Sequence, residues 1–167
     1  MAVLTGCPRV LYLDYHPSGS ITGSGPVRVD AFSYAGHPTG LMEQKEVASG
    51  DQDPEVLYLS QDIGEFFAGA LKKELTLAGY ELRADAPRTV SGTIEQFYLT
   101  YVGRTDQRFK IETTFQVAGE GREAFTTSCR SDQQQAKDWM KSGSLIERGV
   151  RDCIEAFIKK AQAAGAL

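Results

Sequence analysis

Ten residues, Arg108 to Val117, constrain this chain more than any others. Phe109, Ile111, Thr113, Phe115 and Val117 alternate with Lys110, Glu112, Thr114 and Gln116. A period of two puts the first set on one face of an extended strand and the second on the other. No helix can bury that pattern, because its apolar residues recur every three to four positions. A sheet with one apolar face must find another layer to cover it. The flanking sequence continues the theme. "AGEGR" reads as a turn, with Gly119 and Gly121 supplying positive φ, and "AFTTSCR" returns with Phe125, Thr127 and Cys129 in phase.

Upstream, "TVSGTIEQFYLTYV" begins with Val90, Gly92 and Ile94 on one face and continues with Phe97, Leu99 and Tyr101 in the opposite phase. One extra residue near Glu95-Gln96 would reconcile the two, so a bulge is expected there. "VRVDAFSY" alternates from Val27 through Val29 to Ala31, and Val56 to Leu59 offers another short strand.

Two helices supply the covering layer. After Ser60 as cap and Asp62 in the first turn, Ile63, Phe66, Phe67, Ala70 and Leu71 trace one apolar stripe, and Gly79 stops the helix. After a polar loop from Ser131 to Gly143, Ser144 and Glu147 form a capping-box pattern. Ile146, Val150, Cys153, Ile154, Phe157, Ile158 and Ala161 then repeat at three and four, with Arg148, Arg151 and Asp152 largely outside the stripe. Strands run between single helices, so the fold class is α+β. The expected architecture is a mostly antiparallel sheet of about four to five strands with two helices packed on one face. The Gly/Ser-rich stretch from His16 to Pro26 reads as a connector. Residues 1–26 are therefore expected as a tether and 27–167 as one domain.

Composition narrows function. A formal net charge of -4 lacks the clustered cations of a nucleic-acid footprint. No run of 18 apolar residues is present to cross a bilayer as a helix. His16 and His37 each precede a proline in loop-like sequence and join no metal-spaced cluster. "GSITGSGP" carries no lysine and feeds a strand, unlike a phosphate loop. "DQDPE", Asp51 to Glu55, lacks the glycine and distal glutamate of a calcium loop. The expectation is no catalytic residue, no metal and no cofactor; a small hydrolase is the least favoured reading, lacking a nucleophile and base pair. Phe66 and Phe67 belong to the core by their place on the helix stripe. Tyr98 and Tyr101 lie on opposite strand faces. Trp139 and Met140, in the polar loop, are candidates for contact with a partner or for folding over the core edge.

The cysteines number three. Cys129 is on the inward phase of its strand and Cys153 on the apolar stripe of the last helix, so the two thiols would share a core. In a reducing compartment they are small buried hydrophobes. In an oxidising one they are a candidate disulfide that closes a loop of about two dozen residues, a contribution of about 3 kcal/mol.

Cys7 follows Leu4-Thr5-Gly6, and "LTGC" resembles the bacterial lipobox, in which the cysteine after a small residue is lipidated and becomes the mature N-terminus. Only Met1 to Gly6 precede it, without a basic residue, whereas a signal needs an apolar region of about 7–15 residues. The expectation is that these six residues are the stump of a longer signal. "VLYLSQDIGEFFAGALKKELTLAGYEL" followed by "VSGTIEQFYLTYVG" is similar to the YajG-like bacterial lipoproteins, over about residues 25–165. That resemblance implies a non-enzymatic periplasmic domain anchored to the outer membrane, with no catalytic residues to transfer. The domain also looks similar to auxiliary lipoproteins of ABC-type lipid-transport systems. The implied partners are the membrane, through the lipid on Cys7, and an envelope protein or a lipid. Pro8, rather than the aspartate associated with inner-membrane retention, follows Cys7. A dimer through a sheet edge is left open.

Overall fold

A computed structural model describes residues 9–35, 46–47, 57–103, 105–119, 121–138 and 141–167. The chain forms β1 (Arg9–Leu11), β2 (Gly25–Tyr34), β3 (Glu46–Val47), β4 (Leu57–Leu59), α1 (Ile63–Ala78) and β5 (Tyr80–Leu82). It continues with β6 (Arg88–Val102), β7 (Asp106–Gly119), β8 (Phe125–Ala136) and α2 (Ser142–Ala163). The main sheet has the order β5-β2-β6-β7-β8, and a smaller one has the order β1-β4-β3. The class is α+β, as expected.

The strand from Arg108 to Val117 is the middle of β7, which pairs antiparallel with β6 on one side and β8 on the other. Its inward set, Phe109, Ile111, Thr113, Phe115 and Val117, is buried throughout. The expected bulge lies between Ile94 and Gln96 of β6, and it returns Phe97 and Leu99 to the core side. A second bulge was not legible. Between Val29 and Phe32 of β2 the register shifts, so Ala31 is exposed and Phe32 and Tyr34 turn inward.

Three further differences have local causes. β2 pairs in parallel with both β5 and β6, because the connection through α1 is long enough to bring the chain back in the same direction. β8 runs on to Ala136 through residues expected as a loop. Its polar side chains suit an edge strand, and Gln133 stands opposite Phe109. α2 starts at Ser142 instead of after Ser144, since Ser142 is buried and its hydroxyl donates to Gln107 Oε1 at 3.3 Å. The capping box is therefore not formed. At α1 the cap is Asp62, while the Ser60 N–H donates to Leu11 O across β1 and β4. In the β7–β8 turn Gly121 has positive φ and Gly119 does not. Gly79 ends α1 with φ 102°, a conformation costly for a residue with a Cβ, and its N–H is directed at the last helical carbonyls.

Both helices lie on one face of the main sheet and enclose one core. Phe115 of β7 is its centre. Its ring stacks on Phe157 of α2 at 4.1 Å and meets Phe67 of α1 and Phe32 of β2, each at 5.7 Å. Three other elements thus converge on one side chain of β7, and no smaller residue can hold those contacts. Phe115→Ala should lower stability by about 3–5 kcal/mol in chemical denaturation, because the rings around it cannot collapse together into the space left. Leu77→Ala, on the exposed side of α1, serves as a control and should change it by under about 0.5 kcal/mol.

Candidate functional site

The stretch expected as a tether is built into the fold from Arg9 onward. Leu11, Leu13 and Tyr15 recur at every second residue, and that face, with Ile21, packs on the core. Leu13 lies against Gly143 at the start of α2, and Thr22 O accepts from Gln162 Nε2 near its end. Between those points the chain touches α1 as well, so residues 13–22 form a strap laid along both helices.

One carboxylate fixes the strap. Glu74 is on α1 and only 3% exposed. Its Oε1 accepts from the Tyr15 hydroxyl at 2.6 Å and from the Ser18 N–H at 3.3 Å, and its Oε2 accepts from the Gly19 N–H at 3.2 Å. Gly19 lets the backbone come this close, since a Cβ there would stand 2.7 Å from Oε2 and displace the carboxylate. Arg151 of α2 closes the cluster. Its Nε is 3.9 Å from Glu74 Oε1, its Nη2 donates to His16 O at 2.8 Å, and its guanidinium lies 5.7 Å from the Tyr15 ring centre. Lys73 adds bonds to Tyr15 O at 2.8 Å and Asp14 Oδ1 at 3.0 Å, which holds the Asp14 carboxyl below its usual range. Burial, with the Glu74 carboxylate beside it, pushes the Tyr15 phenol well above its ordinary value. With two N–H groups and a hydroxyl on its two oxygens, Glu74 is committed to holding backbone.

Sequence reasoning missed this cluster. The signal was there: position 74 falls three residues after Leu71 and four after Ala70, on the apolar stripe of α1, where a charged residue needs a buried partner. Of the residues singled out from the sequence, Cys129 and Cys153 are brought together. Both are buried, with Cα atoms 5.4 Å apart, within the span of a disulfide. Cys7, Trp139 and Met140 lie outside the described residues, as do His37 and the Asp51–Glu55 stretch. His16 is exposed and its Nδ1 is 3.6 Å from Glu147 Oε1. Among the described residues no cluster of three metal-ligating side chains occurs, and no helix is long and apolar enough to cross a membrane.

Two grooves lie toward the opposite end from β1. One, of about 390 Å³, is lined by Arg88, Arg122, Glu123, Phe125 and Ala166. The other, of about 420 Å³, has exposed Leu77 and Leu82 beside Lys72, Lys73 and Pro17.

No protein-family model matches the chain, and no curated protein does. Solved structures do match. A Xanthomonas campestris protein of the DUF330 family is 11% identical, with a TM-score of 0.68 over 93% of this chain and 96% of that one. A hypothetical Chlamydia trachomatis protein is 11% identical, with a TM-score of 0.52 over 82% and 96%. The rare lipoprotein B of Shewanella oneidensis is 10% identical, with a TM-score of 0.49 over 81% and 96%. At these identities the first two likenesses show a shared fold.

Glu74→Ala should free the strap. It leaves the Tyr15 hydroxyl without its acceptor and the Arg151 guanidinium without its ion-pair partner, a loss of about 3 kcal/mol. Hydrogen exchange should show the Ser18 and Gly19 amides losing protection while those of β7 keep theirs. Alkali should act on the same cluster. The folded state holds the Tyr15 proton more tightly than the unfolded chain does. The stability this contributes is whole below a pH of about 10 and is lost as the pH rises above it. Tyr15→Phe should flatten that part of the stability–pH curve.

Proposed function

We propose that the chain is a cell-envelope lipoprotein, anchored to the outer membrane through Cys7, whose α+β domain works by binding or scaffolding and not by catalysis. One observation carries the reading. Cys129 and Cys153 stand at disulfide distance in the core, so of three cysteines only Cys7 is left over, and it directly follows Leu4-Thr5-Gly6. A paired core disulfide belongs to an oxidising compartment, and the lipobox-like cysteine belongs to an exported chain. The two features point the same way independently. The YajG-like resemblance over residues 25–165 agrees, and the commitment of Glu74 to the strap fits a carboxylate with a structural task.

Acylation would supply the anchoring at about 0.8 kcal/mol per buried CH₂, with more than one chain needed for stable attachment. A second reading, an auxiliary lipoprotein subunit of an ABC-type lipid-transport system, is favoured by the groove of Leu77 and Leu82. An apolar floor with lysines at its rim suits an amphiphile with an anionic head.

Mass spectrometry of the mature protein from its native host tests the anchor. Its N-terminal peptide should begin at Cys7 and carry acyl mass, and Cys7→Ser should abolish both the added mass and sedimentation with membranes. An unmodified Cys7 within a peptide that retains Met1 to Gly6 would refute the reading.

A further inference from the structure

The stretch Val10-Leu11-Tyr12-Leu13 is apolar at every position, the pattern of a strand covered on both faces. The structure covers one. Leu11 and Leu13 pack on the core, while Val10 is 45% and Tyr12 81% exposed on the other side. Nothing in the alternation of an ordinary surface strand calls for a tyrosine and a valine there. β1 is moreover an edge strand of the small sheet.

This face has a definite place in the molecule. Leu13 meets the first turn of α2 at Gly143, and Ser60, just ahead of α1, bonds to Leu11, so β1 sits at the end where both helices begin. β6 runs toward the same end, since its pairing with β2 finishes at Ile94 beside Tyr34, whose hydroxyl donates to Glu46 O of the small sheet. Val102, 37% exposed, is the last residue of β6. Of the five large exposed apolar side chains among the described residues, three (Val10, Tyr12 and Val102) therefore lie at this end, and Leu77 and Leu82 line the distant groove.

We propose that the end bearing Val10 and Tyr12 rests on the lipid surface, as a second contact beside the acyl anchor. The inference rests on the lipoprotein reading above. Cys7 is two residues before Arg9, so its Cα lies within about 7 Å of the start of β1, a reach set by the extended length of the chain. The strap beyond β1 is pinned to both helices, so no long tether separates the anchor from the fold. Tyrosine favours the boundary between water and acyl chains, where its ring and hydroxyl are each satisfied. The grooves at the far end then face away from the membrane, open to a partner or a ligand.

Fluorescence quenching by brominated lipids tests this. Tyr12→Trp and Leu77→Trp would each be made in a Trp139→Phe background, giving full-length chains with a single tryptophan. Each would be purified acylated and placed on phosphatidylethanolamine and phosphatidylglycerol vesicles with brominated acyl chains. The Tyr12→Trp protein should lose about half its emission, and the Leu77→Trp protein should be almost unchanged. Acylated, vesicle-bound protein in which neither is quenched would overturn the orientation and leave the lipoprotein reading standing. So would emission from the Tyr12→Trp protein that shifts with protein concentration and not with lipid, the sign of a second copy on this face. Protein whose Cys7 carries no lipid in the native host would overturn the lipoprotein reading, and this inference with it.

Discussion

The Glu74 carboxylate is the point on which the arrangement of the N-terminal half depends. It is buried between α1 and α2 and would be costly there without donors. Its donors come from the strap, as the Tyr15 hydroxyl and the backbone N–H groups of Ser18 and Gly19. Arg151 brings in α2 from the other side and also holds His16. One acidic group thus ties a strand-like segment to two helices. The segment in turn places β1 beside β4 and covers the helix layer with Tyr15, whose ring meets Phe66 at 6.4 Å. Below that layer the aromatic cluster around Phe115 packs helices against sheet, beside the Cys129–Cys153 pair that joins α2 to β8. The outer bond is polar and directional and the inner contact is apolar, so the two fail under different conditions. Alkali weakens the first, and loss of side-chain volume weakens the second.

Much of the fold was legible because its core elements are strongly periodic. β7, both helix stripes and the bulge at Glu95 follow from spacing alone. What escaped was decided by tertiary contact. The second bulge in β2 moves Phe32 inward and Ala31 out, and nothing in "VRVDAFSY" says where the alternation breaks. β8 extends through Gln133 to Gln135 because β7 offers a partner, although the same residues read as loop. Parallel pairing of β2 with β5 and β6 depends on where α1 returns the chain. The strap is the most instructive case. Its glycines and serines suggested a flexible connector, yet the same composition lets the backbone N–H groups approach Glu74 closely. A Cβ at Gly19 would push against the Glu74 carboxylate. A charged residue on the stripe of α1 was the visible sign that something had to cover it.

Candidate sites were less legible than the core. Spacing put Cys129 and Cys153 on facing surfaces, and the structure brings their Cα atoms to 5.4 Å. The Tyr15, Glu74 and Arg151 cluster joins residues 59 and 77 positions apart, which no local pattern connects. The molecule that results has two unlike ends. One carries β1 with its exposed Val10, the adjoining exposed Tyr12, and the chain leading back to Cys7. The other carries open grooves. In the proposed orientation, a strap held at Glu74 transmits the position of the anchor directly to the body of the domain.

The central claim is that the three cysteines have two fates, a lipid on one and a bond between the other two. Alkylation of the denatured, unreduced protein from its native host, followed by peptide mass analysis, tests it most directly. The account predicts no alkylation at any of the three, with Cys129 and Cys153 becoming reactive only after reduction and Cys7 staying blocked. Alkylation of Cys129 and Cys153 without reductant, together with alkylation of Cys7, would contradict it.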